Sequence, residues 1–208
     1  MTSDTVSPTL PTTVNSAQGM STTKDTKSDS TLLKAIICVF SVASTSYLYN
    51  IKGNVWFSFH FVSMIAGFIL LPGLAFLIKK AGGYTNTKNH GYLMALSTLM
   101  VCFGFYVIYS NKEAYQKEHF LTTHGQLGLF LTLLYIGMAL FSFPSLNVDW
   151  GVFKTNKSVR FAHKWTGRLA TAAAWYCCVL GFNTMIADQT TQMMFAAPLA
   201  VLAFFVLL

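Results

Sequence analysis

Five histidines, His60, His90, His119, His124 and His163, carry most of the chemistry available to this 208-residue sequence. Four of them, all but His119, fall within a turn or two of the start of a long apolar run, where a polar ring is costly without a partner. One such histidine alone reads as a hydrogen bond to a neighbouring segment; the set reads differently. Successive runs of a chain that doubles back on itself travel in opposite directions. His60 and His124, which open the second and fourth runs, therefore share one level, and His90 and His163, which open the third and fifth, share the other. Two facing imidazoles can fill both axial positions of a haem iron, leaving a six-coordinate centre suited to electron transfer rather than oxygen binding. Zinc fits less well, because it takes four ligands, or three and a water, and no Cys or carboxylate accompanies either pair. Copper stays open for a two-histidine site. Gly125 and Gly128 after His124, Gly91 after His90, and Gly167 one turn after His163 suit a large flat ligand, although close helix packing accounts for such glycines equally well.

The runs themselves set the fold class. Residues are 53% hydrophobic and only 10% charged, against roughly 25% charged in an average soluble domain. That excludes a disordered chain and an ordinary globular one. Apolar runs of transmembrane length predict helices at about 32–50, 55–78, 90–109, 120–143, 162–186 and 191–208. No strand-like alternation of the kind a barrel needs is present. The expected fold is an all-α integral membrane protein, a six-transmembrane-helix bundle over residues 32–208 with two haem sites in its core. Residues 1–31, rich in Ser, Thr, Asp and Lys, read as a disordered cytosolic tail with no signal peptide.

The net charge of +7 follows the same partition. Eleven Lys and Arg fall in the tail, in the second and fourth connections and at the adjoining helix ends. Only Lys52, Lys112 and Lys117 fall on the opposite side. The positive-inside rule then puts both termini in the cytosol, so the charge reports sidedness and not nucleic acid. Ligands about five residues in from each end of a 30 Å core leave the two irons roughly 15–20 Å apart.

At this point a family resemblance becomes specific. His119-Phe-Leu-Thr-Thr-His124-Gly-Gln-Leu-Gly128 resembles the fourth-helix signature of the cytochrome b561 family, and is most similar to the small six-helix members without an extracellular binding domain. Phe57-Ser-Phe-His60-Phe-Val-Ser-Met64 resembles the second-helix motif, with Phe61 where members often carry Pro. Lys88-Asn-His90 and His163-Lys-Trp-Thr-Gly167 match the third- and fifth-helix positions. The resemblance implies two non-covalent haems b, one ligated by His60 with His124 and the other by His90 with His163. It also implies an ascorbate-dependent transmembrane reductase or ferric reductase. Electrons would pass from cytosolic ascorbate to monodehydroascorbate or a ferric chelate across the membrane. Phe76-Leu-Ile-Lys79-Lys80 departs from the basic run that ends helix two in ascorbate-using members, which bears on the donor.

Lys164 and Arg168 follow His163 closely and are the candidates to neutralise haem propionates, with snorkelling to the interface the plainer account. His119 reads as an interfacial residue near the outer haem edge, about 140° from His124 if both lie on one helix. Cys38, Cys102, Cys177 and Cys178 fall within helices and form no Cys-x-x-Cys-His attachment site. The competing function is a proton or metal transporter with an intramembrane histidine relay. Expected partners are membrane lipid and the small-molecule donor and acceptor, with a homodimer left open. The expected location is an endomembrane, such as endoplasmic reticulum or a vesicle, or the plasma membrane.

Overall fold

The computed structural model describes residues 17–207, with side chains described from Ser30 onward. The chain is all-helical: α1 (Ala17–Lys52), α2 (Ser58–Lys80), α3 (Tyr84–Ala114), α4 (Thr123–Leu146), α5 (Lys157–Met185) and α6 (Gln189–Leu207). Of the tail expected over residues 1–31, the first 16 lie outside the described residues, and α1 carries helical backbone from Ala17. Where six crossings were expected, five helices among the described residues are long and apolar enough to cross a membrane. The remaining helix, α5, holds Lys157, Arg160, Lys164 and Arg168 in its first half, so its uncharged stretch starts only at Leu169.

Helices α2, α3, α4 and α5 form a ring, each packed on the next, and α5 closes it against the middle of α2. α1 and α6 lie outside the ring, both touching α2 and each other. α2 is the enclosed helix, with 56% of its apolar stretch buried against 22% or less in the other four apolar helices. Each helix of the ring carries one of the four paired histidines.

α2 owes its central role to an irregularity that begins with Pro72. Proline has no N–H, and its ring crowds the carbonyl four residues back, which in this helix is Phe68 O. The chain widens to π-helix over Ile65–Leu70, where Leu71 N–H bonds Ala66 O, five residues back. Gly67 O and Phe68 O thereby lose their regular donors, and neighbouring helices replace both. Ser97 Oγ on α3 donates to Gly67 O at 2.6 Å, and Trp175 Nε1 on α5 donates to Phe68 O at 2.7 Å. In a bilayer no water can do this, so the polar groups have to come from the protein. A Cβ at Gly67 would stand 2.8 Å from Val101 Cγ2, so only glycine allows α3 this close. Around the same point Phe68 and Tyr135 meet edge to face at 5.1 Å.

The connections are held by ordinary caps. Thr122 Oγ1 accepts from Gly125 N at the start of α4, and Asn156 Oδ1 from Val159 N at the start of α5. Asp188 Oδ2 accepts from Thr191 N and Thr191 Oγ1 ahead of α6. Those bonds hold the Asp188 carboxyl below the usual carboxylate range.

The carbonyl replacement makes a two-step prediction. Trp175→Phe leaves Phe68 O buried without a donor and is expected to cost about 1–3 kcal/mol, read as a lower unfolding temperature in detergent. Adding Pro72→Ala supplies an N–H for the same carbonyl and is expected to recover part of that loss. Equal stability of the single and double variants would contradict the account.

Candidate functional site

The site is built from the first two turns of four helices. His60 lies at the start of α2, where Ser58 Oγ donates to Gly53 O at 2.6 Å and ties the helix to the preceding turn. Its Nδ1–H donates to Gly104 O on α3 at 2.9 Å. Gly104 permits that approach, because a Cβ there would sit 3.1 Å from Ser63 Cβ. His124 lies in the first turn of α4, just beyond the Thr122 cap, and its Nδ1–H donates to Cys177 O on α5 at 3.0 Å. The thiol of Cys177 lies 3.5 Å from the same nitrogen. The His60 and His124 ring centres are 6.3 Å apart with planes at 82°.

The other end repeats the plan. His90 on α3 donates from Nδ1 to Ala75 O on α2 at 3.1 Å. His163 on α5 bonds through Nδ1 to Ser142 Oγ on α4 at 3.0 Å. Their ring centres are 6.4 Å apart with planes at 89°. Within α5, His163 and Cys177, the residue that receives His124, are fourteen positions apart, about 21 Å at the rise of an α-helix. The two ring pairs therefore occupy opposite ends of the bundle.

These dimensions can be tested against a shared metal. A metal bound by imidazole sits about 2.0 Å from the nitrogen, itself about 1.1 Å from the ring centre, so two rings on one ion have centres about 6.2 Å apart. Both pairs match. Aromatic rings in simple contact span a similar range, so the ring nitrogens are the more informative feature. All four Nδ1 atoms are engaged by a neighbouring helix, three of them by main-chain carbonyls that can only accept. That fixes the Nδ1–H tautomer in these three and leaves Nε2 with a free lone pair, the arrangement of a metal-bound histidine whose other nitrogen is held from outside. Among the described residues no group of three or more His, Cys, Asp or Glu converges, so a tetrahedral zinc site has no ligand set. A cavity walled by Phe57, Phe61, Phe68, Phe105, Leu129 and Phe182 contains both His60 and His124. It encloses ≈ 1240 Å³ of non-protein space, its open mouth included. An apolar slot between two imidazoles fits a flat, largely apolar metal macrocycle.

A family model for eukaryotic cytochrome b561 matches residues 59–188, a span that includes all four paired histidines. The chain belongs to the cytochrome b561 family. It is thus a multi-pass membrane protein of a haem b-binding family, an oxidoreductase of transmembrane electron transfer with lipid and small-molecule redox partners. No curated protein matches the chain.

Other expected residues of this cytochrome fall as follows. Gly125 and Gly128 line the cavity, whereas a Cβ on Gly91 would meet nothing within 4 Å. Lys164 is exposed, and the Arg168 guanidinium lies over the Trp165 ring at 5.2 Å. Lys79 is close enough to Arg160, and Lys80 to Arg168, for like charges to oppose each other, so the His90–His163 end carries a convergent set of cations. The carboxylate nearby is Asp149, which accepts from Tyr84 and from Lys88 Nζ at 2.9 Å. These donors hold its carboxyl below the usual range, so this tie between α3 and the α4–α5 loop is present at neutral pH and lost as pH falls through that lowered value. His119 is corrected in place: α4 starts at Thr123, so His119 belongs to the preceding loop and not to the helix of His124. All four cysteines are free.

The sequence reading missed Ser142, the main-chain carbonyls of Ala75, Gly104 and Cys177 that accept from the ligand-candidate rings, and Gly181. A Cβ at Gly181 would lie 2.9 Å from His124 Cε1, so this glycine is the floor on which the ring rests. Its only sequence signal is its place one turn after Cys177. Gly181→Ala is expected to displace His124 and lower the haem retained per chain after purification, measured as pyridine haemochrome. Gly137→Ala on α4, where a Cβ meets nothing within 4 Å, should retain the wild-type amount.

Proposed function

We propose that the protein carries electrons across a membrane from a cytosolic donor, ascorbate, through two bis-histidine haems b to monodehydroascorbate or a ferric chelate on the other side. The observation that carries this reading is the pair of facing imidazoles at each end of the bundle, every one with Nδ1 held by another helix. In this reading His60 and His124 hold one haem, and His90 and His163 the other. Bound haem b supplies one-electron iron chemistry, and two axial histidines leave no open position for oxygen. The protein's own residues fix ligand orientation, keep the cavity dry and set which charges face each end.

The bundle is read as six crossings, with α5 the sixth, because α5 closes the ring and shares its ligands with α2 to α4. The end that carries His90 and His163 is read as cytosolic. Lys79, Lys80, Arg160 and Arg168 gather there, where they suit haem propionates, an anionic donor and anionic lipid alike. Lys164 joins them as an exposed cation on the same turn as His163. Both termini are then cytosolic. An endomembrane or the plasma membrane suits the topology equally.

The transporter alternative has less support. A relay across the core needs titratable groups between the two levels, and no Asp or Glu occurs in the helices between them.

A pyridine haemochrome count on purified protein tests the reading directly. Two b haems per chain are expected, with His124→Ala and His163→Ala each reduced to one. A count of zero for the wild type would overturn it.

A further inference from the structure

The four paired histidines differ in one contact. His60, His90 and His124 donate from Nδ1 to the main-chain carbonyls of Gly104, Ala75 and Cys177, at 2.9, 3.1 and 3.0 Å. His163 instead meets a side chain, the Ser142 hydroxyl on α4, at 3.0 Å. Ser142 stands about one turn before the end of α4 at Leu146. The returning loop pins that end: Val152 N–H donates to Pro144 O at 3.1 Å, and Phe153 N–H donates to Ser145 O at 2.8 Å. Both Ser142 and His163 are half-buried. The hydroxyl is therefore fixed in a braced junction between α4 and α5, where a main-chain acceptor serves the other three rings.

The difference matters for an iron ligand. A main-chain carbonyl can only accept, is held in place by its helix, and draws on the Nδ1–H proton. That pull makes the opposite nitrogen a stronger electron donor. A ring so held favours ferric over ferrous iron, and hydrogen bonding outside the ligands is one of the levers that set a haem potential. A hydroxyl is a weaker and more adaptable acceptor: it rotates, carries its own hydrogen, and can accept from Nδ1 or donate to it. With Nε2 on iron only acceptance is open to it. His163 is then the weakest electron donor of the four. Lys79, Lys80, Arg160 and Arg168 gather at the same end and also favour the less positive, ferrous state. The hydroxyl and the cations thus act in one direction.

We propose that Ser142 is a positioning residue that sets the reduction potential at the His90–His163 end. By giving His163 a hydroxyl where the other three rings have a carbonyl, it holds that potential above the value a fourth carbonyl would impose. The inference rests on the two-haem electron-transfer reading above and adds to it a residue that ligation itself does not require. Ser142 acts through His163 and touches neither iron nor substrate. Its effect falls on the driving force of each step. The His90–His163 end is the one read as facing the donor, so a raised potential there favours uptake of the electron from the donor. The same rise leaves less driving force for passage to the His60–His124 end.

The test is a spectroelectrochemical titration of the full haem-loaded chain in detergent, wild type against three variants at one position. Ser142→Thr keeps a hydroxyl, Ser142→Cys offers a weaker acceptor of similar size, and Ser142→Ala offers none. One of the two midpoints should stay near the wild-type value in Ser142→Thr, rise in Ser142→Cys and rise further in Ser142→Ala. The last rise is expected to be roughly tenfold in the equilibrium constant for reduction, about 59 mV for a one-electron couple. The other midpoint should stay in place throughout. Repeating the series in His124→Ala, which keeps the His90–His163 haem, should reproduce the shift; in His163→Ala it should vanish. Where Ser142→Ala fails to retain haem, the comparison of Ser142→Thr with Ser142→Cys carries the same prediction. A merely structural role for Ser142 lowers haem content without ordering the midpoints. Midpoints that do not move, or that move equally for both haems, would overturn the inference while the count of two haems stands. A wild-type chain without haem would overturn the proposed function itself.

Discussion

A hydrogen bond from a buried imidazole Nδ1–H to the main chain of another helix is the interaction on which the arrangement turns. Main-chain carbonyls in a helix have a second lone pair, so Gly104 O, Ala75 O and Cys177 O accept from His60, His90 and His124 at no cost to their helical bonds. In a membrane interior those three contacts do several things at once. They satisfy one nitrogen of each ring where water is absent, fix its tautomer, and lock a pair of helices at a set distance. The other nitrogen is then left with its lone pair unprotonated. Each contact joins neighbours in the ring of α2 to α5, whereas each ring pair joins helices across it. Ligand geometry and helix packing are therefore one problem, and a side chain such as Gly181, which touches no metal, controls both.

The π-helical turn in α2 belongs to the same problem. α2 supplies His60 near one end and Ala75 O near the other, so both sites depend on the phase between these positions. One extra residue in the winding rotates everything beyond it by about 100°. Pro72 forces that extra residue by removing a donor, and the two carbonyls it strands are taken up by Ser97 and Trp175. The same two bonds fasten α3 and α5 to the middle of α2. The defect thus acts as the joint that sets two distant sites in register, and its carbonyls are satisfied because the lipid phase offers no alternative.

Much of this was legible in the residues, for physical reasons that can be named. Apolar runs of membrane length are long-range signals that survive without any tertiary context, so the helices at 55–78 and 90–109 appear as Ser58–Lys80 and Tyr84–Ala114. A polar ring at a fixed distance from a helix start gives its depth, and alternating direction turns depth into pairing; the rings of His60 and His124 do meet, as do those of His90 and His163. Contacts made by main-chain atoms leave no trace, because a carbonyl has no identity in a sequence: nothing in the residues marks Cys177 O as the acceptor for His124. Gly181 stood apart from the glycines adjacent to ligands and was passed over, while Gly91, adjacent to His90, proved to face open space. Pro72 was visible, but its effect on the winding depends on donors from two other helices. α5 was harder to score, since a basic first half and an apolar second half give one helix two readings.

The proposed ligation by two histidines would also explain why the family assignment says more about the cofactor than about the substrates. A haem iron held by both rings of a pair would have no open position for donor or acceptor, so exchange would depend on the residues that surround the ends of the bundle. The paired histidines sit within the first two turns of their helices and are placed by helix geometry. Selectivity is left to side chains at the mouths. There the ends differ: one gathers Lys79, Lys80, Arg160 and Arg168, with Asp149 already engaged by Lys88 and Tyr84. The other mixes Lys112 with Glu113, Glu118 and His119. The near-identical histidine pairs give the two ends the same ring geometry, so what distinguishes one end from the other is the charge of the side chains around it.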